Sequence, residues 1–124
     1  MTLAFWCVLI AGLLPVLATS IAKWGLKGFD NNNPRAWLEK QSGYRARANA
    51  AQQNSFEAFP FFAAGVVIAH LAEAPQGRVD ALAVAFIVLR LLYLACYLAD
   101  RATLRTLVWG LAYACIIGLF VVSA

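Results

Sequence analysis

Two ionisable side chains stand where a bilayer would exclude them: Glu57, shortly before a proline and an apolar run, and Arg90, alone in a long apolar stretch. Charges at membrane depth are expensive, so they should face a bundle interior, and functional use is the default explanation. Each has polar company. At about 100° per residue, Arg47, Ala50, Ala51, Asn54 and Glu57 fall within about 120° of arc on one helix. Arg90, Tyr93 and Tyr97 form a narrow stripe on the next, Arg101 continues it, and Arg105 follows. A carboxylate, an amide, phenols and arginines converging from three helices can bind a charged ligand. They can also be structural: Glu57 and Arg90 as a buried pair, Asn54 as an interhelical hydrogen bond, the tyrosines as core packing with satisfied hydroxyls. His70 falls near the opposite membrane face and reads as an interfacial residue. Phe56, Phe59, Phe61 and Phe62 read as lipid or subunit contacts.

The elements that must position these residues follow from composition. Of 124 residues, 63% are hydrophobic and 13% charged, with a mean hydropathy of +0.72. Soluble domains carry about a quarter charged residues, so a soluble fold is excluded. About 20 helical residues cross the hydrocarbon core, and the chain divides into four such stretches: about 2–22, 47–74, 79–99 and 106–123. The expected fold is an all-α integral membrane four-helix bundle occupying residues 1–124 as a single domain. Thr2 to Ala22 has no charge and no basic residue before its apolar run, so it reads as a retained first helix and not as a signal peptide. The loop over 23–46 contains Asn33-Pro34, a cap followed by a first-turn proline, predicting a short helix to Ser42 that Gly43 stops. Pro60 should kink the second helix unless neighbours satisfy the freed carbonyl. Cys7, Cys96 and Cys115 lie in apolar stretches without metal-ligand spacing and read as small buried hydrophobes. No metal site is expected.

Basic residues set the orientation. The first and third loops hold Lys23, Lys27, Arg35, Lys40, Arg45, Arg47, Arg101 and Arg105, whereas the opposite side holds only Arg78. The positive-inside rule then places those loops in the cytoplasm and both termini outside. The net charge of +4 belongs to this topology, and no nucleic-acid partner is expected.

The run Arg47-Ala48-Asn49-Ala50-Ala51-Gln52-Gln53-Asn54-Ser55-Phe56-Glu57-Ala58-Phe59-Pro60 resembles the second-helix signature of the MAPEG family, membrane-associated proteins in eicosanoid and glutathione metabolism. Arg90-Leu91-Leu92-Tyr93, Tyr97 and Asp100-Arg101-Ala102-Thr103-Leu104-Arg105 resemble its third-to-fourth helix segment. Asp30-Asn31 and Asn33-Pro34-Arg35-Ala36-Trp37 look like the first loop of its bacterial members. The resemblance implies a homotrimer in a bacterial inner membrane, with glutathione as co-substrate bound between subunits near the cytoplasmic face. It further implies a transferase or peroxidase acting on hydrophobic small molecules that arrive through the bilayer. Asn54 and Glu57 would hold the ammonium end of glutathione, and Arg47, Arg90, Tyr93, Tyr97 and Arg101 would complete the binding set. Arg105 would stabilise the thiolate, since a thiol of pKa about 8.5 is mostly protonated at neutral pH.

One position departs from the pattern. Ala50 stands where well-studied members carry a second arginine, and Gln53 is neutral as well. The lost charge-assisted contact is worth about 1.5–3 kcal/mol; Arg45 or a first-loop basic residue is the candidate substitute. Two other functions compete with the glutathione reading. One is a small oligomeric transporter with Glu57 as a proton or cation site, and the other a non-catalytic structural membrane subunit.

Overall fold

In the computed structural model, which describes residues 1–25, 28 and 30–124, the chain forms five helices. They are α1 (Leu3–Ala22), α2 (Pro34–Glu39), α3 (Gly43–Leu71), α4 (Gln76–Leu98) and α5 (Ala102–Val122). The four long ones are each apolar and long enough to cross a membrane, and no strand occurs among the described residues. Lys27, one of the basic residues that set the orientation, lies outside the described residues.

The bundle closes on small side chains. Ala4, Ala11 and Ala18 recur every seven residues on α1, with Cys7 and Leu14 between them, and all five are buried. Against that stripe, α3 buries Ala48, Ala51, Ala58, Gly65 and Ala69. Ala18 shares a cluster with Ala51, and Ala22 with Ala48, which fixes the two helices antiparallel. Without a hydrophobic drive between helices in lipid, close packing of small residues is the main source of association. A Cβ on Gly65 would come within 3.3 Å of Leu119, so α3 approaches α5 closely there. Stacked Phe62 and Phe86, with centroids 4.0 Å apart, fill the centre between α3 and α4.

Helix ends differ from the sequence expectation, most plainly at Gly43 and at the start of α5. Gly43 does not stop a helix running from Pro34; α2 ends at Glu39, and α3 begins at Gly43, whose φ of +63° lets the chain reverse. As a result α3 starts one turn early and carries Arg47 inside its own first turns. Pro60 lies inside α3, which continues through it from Gly43 to Leu71. The fourth crossing starts at Ala102, so Arg105 belongs to the first turn of α5 and not to a connection.

A turn at one end and a hydrogen bond between helices at the other hold the ends together. At the basic end, α4 closes with the Arg101 N–H donating to the Cys96 carbonyl and the Asp100 N–H to that of Tyr97. Asp100 takes φ +58°, the left-handed conformation that aspartate tolerates better than most residues. At the other end, the Ala4 N–H donates to the Asp80 carboxylate at 3.0 Å, tying the start of α1 to α4. His70 belongs to that second end: its ring meets Phe5 edge-on at 4.9 Å.

Candidate functional site

At the basic end, a polar chain runs across α3, α4 and α5. It starts at Asn54, whose Oδ1 accepts from Arg90 Nη2 at 2.7 Å. The Ser55 hydroxyl is a longer second acceptor at 3.4 Å. The Arg90 guanidinium lies over the Tyr93 ring, 4.2 Å from its centroid. Tyr93 meets Tyr97 edge-on at 5.6 Å, and the Arg105 guanidinium covers the Tyr97 ring at 4.3 Å. Two cations therefore flank a pair of phenol rings, each cation attracted to the negative face of the ring it covers.

The two cations are not equivalent. Arg90 is only 2% exposed, and its Nη1 is buried without a hydrogen-bond partner. Its one short bond is to the Asn54 carbonyl oxygen, and a guanidinium can only donate. That contact fixes the amide: Asn54 turns its oxygen inward and keeps both Nδ2 protons for another partner. Arg105 is half-buried and, among the described residues, its guanidinium donors have no hydrogen-bond partner. It sits in the first turn of α5, which contains no acidic residue. A cation at the positive end of a helix costs about 0.3–1 kcal/mol. The arrangement is therefore electropositive from two sources and suits an anion.

Glu57 is exposed on α3, with no hydrogen bond or ion pair among the described residues. The buried Glu57–Arg90 pair that their positions allow does not form. Arg90, Tyr97, Arg105 and Glu57 nevertheless all lie within electrostatic reach of the Tyr93 phenol. Glu57 thus sits at the open edge of the chain.

Arg47 and Arg101 stand apart from it. Arg47 donates from Nη2 to the Leu98 carbonyl at 3.2 Å and buries an unpartnered Nε. Leu98 is the last residue of α4, where carbonyls lack helical partners, so Arg47 braces that helix end. Arg101 is the N-cap residue of α5 and is exposed. Arg45, the suggested substitute for an arginine at position 50, is already committed elsewhere. Its Nη1 and Nη2 donate to the Ala22 and Trp24 carbonyls at 2.7 and 2.6 Å, closing the end of α1. Trp37 and Tyr44 flank its guanidinium at 5.8 and 5.2 Å.

Sequence reasoning missed Ser55 and the Thr19–Gln52 bond, in which the Thr19 hydroxyl donates to Gln52 Oε1 at 3.1 Å between α1 and α3. The signal for the second was a polar residue on each of two facing apolar helices. No cluster of His, Cys, Asp and Glu that could hold a metal occurs among the described residues.

Against known proteins, residues 3–124 match the family model described as MAPEG family. No curated protein and no solved structure gives a significant match.

Proposed function

The chain belongs to the MAPEG family, and on that premise we propose that it is a glutathione-dependent transferase or peroxidase working as a homotrimer on hydrophobic electrophiles. The membership supports a membrane-bound, glutathione-related protein of the transferase and peroxidase type. The observation that carries the finer reading is Arg105, a cation fixed over Tyr97 with its donors uncommitted at the positive end of α5. Such a group lowers the free energy of a thiolate relative to its thiol and so raises the fraction of the nucleophilic form. The thiol proton goes to solvent, the sulfur attacks an electrophilic carbon, and the leaving group departs with the bonding pair. The electrophile would arrive from the bilayer side.

In this reading Glu57 takes the ligand ammonium, since the Asn54 oxygen already serves Arg90. Asn54 instead offers its N–H groups to a ligand carbonyl or carboxylate. Arg90 and Arg47 act behind the ligand as positioning residues. Tyr93 and Tyr97 carry the cations, and Arg101 adds to the positive rim. The basic end faces the cytoplasm and both termini lie outside, in a bacterial inner membrane. A proton or cation path through Glu57 is disfavoured, because two arginines share its neighbourhood.

Titration calorimetry of the detergent-purified protein with millimolar glutathione tests the reading, followed by the ultraviolet absorbance of the bound thiolate. Binding with thiolate formed at neutral pH is expected. A protein that is folded and oligomeric but binds no glutathione would leave only the structural role.

A further inference from the structure

Between α4 and α5, at the end of the bundle rich in arginine and lysine, stands a carboxylate, Asp100, directly before Arg101. Both side chains are exposed, and among the described residues neither has a hydrogen-bond or ion-pair partner, not even the other. The turn that carries them is pinned. The Asp100 N–H donates to the Tyr97 carbonyl at 3.1 Å and the Arg101 N–H to that of Cys96 at 2.9 Å. Two opposite charges are thus held in place without satisfying each other. Both line a recess of about 470 Å³, together with Thr103, Leu104 and Leu107, a size within the range of small-molecule pockets, about 300–1,000 Å³. The Thr103 hydroxyl is also uncommitted. Leu104, Leu107 and Leu111 are exposed and lie on one face of α5 at spacings of three and four residues. They continue the recess along about 10 Å of a helix that is long and apolar enough to cross the membrane. The recess therefore has a mouth with both signs of charge and an apolar wall that leads into the bilayer.

We propose that this recess binds a zwitterionic phospholipid with a primary ammonium, phosphatidylethanolamine, with Arg101 on its phosphate and Asp100 on its ammonium. One acyl chain then lies along Leu104, Leu107 and Leu111. A guanidinium matches a phosphate with two parallel bonds, and a primary ammonium supplies three N–H donors to a carboxylate that has no other partner. A choline headgroup carries the same charges but has no N–H to donate. An anionic headgroup such as that of phosphatidylglycerol satisfies Arg101 and meets Asp100 as a like charge. Every lipid tail is about as apolar as leucine, so the selection rests with the two charges at the mouth. Arg105 does not line the recess, so a phosphate held here leaves that arginine uncommitted, and the proposal does not depend on the glutathione reading.

The test titrates the full-length, detergent-purified and delipidated protein with phosphatidylethanolamine, phosphatidylcholine and phosphatidylglycerol of identical acyl chains. Bound lipid per chain is counted by native mass spectrometry. The wild type is expected to bind the ethanolamine lipid at least about tenfold more tightly than the choline lipid, the loss of one charge-assisted contact, and more tightly than the glycerol lipid. Asp100→Asn keeps a residue that tolerates φ +58°, so the turn is retained. That variant should reverse the order and bind the glycerol lipid in preference to the ethanolamine lipid. Arg101→Gln should weaken both by about tenfold. Equal wild-type affinities for the three lipids, a wild-type preference for the glycerol lipid, or an ethanolamine preference that survives in Asp100→Asn overturns the proposal. Unchanged affinities in Arg101→Gln overturn it too. So does a wild type that retains no phospholipid, and protection of residues 100–104 from hydrogen exchange would then assign the recess to a second copy of the chain.

Discussion

Arg90 Nη2 donates to Asn54 Oδ1 at 2.7 Å, and among the described residues no carboxylate pairs with that arginine. A charge buried to 2% exposure thus depends on one amide, a longer contact to the Ser55 hydroxyl and one aromatic face. Removing the amide leaves the charge in place without its acceptor, which costs more than removing both partners. Asn54→Leu is expected to lower stability by about 2 kcal/mol, read as thermal unfolding in detergent. The double variant Asn54→Leu with Arg90→Met should recover most of that loss. Additive losses in the double variant would mean that the two side chains are not coupled.

Arg47 makes a different kind of contact. Its bond to the Leu98 carbonyl braces the end of α4, and that end sets the turn leading to Arg101 and Arg105. Arg47→Ala is expected to cost about 1–2 kcal/mol and to speed amide hydrogen exchange at residues 98–101. Glutathione at saturation should still bind. Loss of binding with unchanged exchange would make Arg47 a direct ligand group.

Bilayer physics made the crossings legible. Thr2 to Ala22 reads as a helix because a single uncharged run can satisfy its own backbone in lipid only by coiling into one. The start of α5 was obscured because Arg101 and Arg105 look like loop residues, and a cation at a helix N-terminus runs against the dipole. Gly43 was ambiguous for another reason: one left-handed glycine can end a helix or begin the next, and here it begins α3. For the site, the helical wheel grouped Asn54 with Glu57, but it carries no information on where neighbouring helices stand. Ala51, Ala58 and Phe62 face the core, which turns Asn54 inward onto Arg90 and leaves Glu57 at the rim. The partners of Arg45 and Arg47 are backbone carbonyls at helix ends, and a sequence motif cannot specify those.

Orientation is open to a direct test. The end of the bundle that joins α1 to α3 and α4 to α5 carries Lys23, Arg35, Lys40, Arg45, Arg47, Arg101 and Arg105. The other end carries Arg78 beside Glu73 and Asp80. With a tag at each terminus, sealed inverted vesicles should protect both tags from added protease, because their cytoplasmic face is outward. Cleavage of the C-terminal tag would place Arg105 and the open edge at Glu57 on the non-cytoplasmic side. The supply of glutathione would then have to be sought there.

The last prediction separates electrostatics from geometry at Arg105, whose guanidinium lies over Tyr97 at 4.3 Å and has no hydrogen-bond partner among the described residues. Because other groups hold the peptide, Arg105→Ala and Arg105→Lys should both bind glutathione within about threefold of wild type, less than the tenfold that about 1.4 kcal/mol represents. The thiolate absorbance of the complex should fall in Arg105→Ala and persist in part in Arg105→Lys, which keeps the charge but loses the planar fork. The rate with a generic electrophile should fall in the same order. Tyr97→Leu removes the ring that the guanidinium rests on, so it should shift the thiolate in the same direction by a smaller amount, while Tyr97→Phe keeps the ring and should not. Undiminished thiolate in Arg105→Ala would reduce this residue to a positive-inside anchor, and the activating charge would then lie at Arg101 or behind the ligand at Arg90.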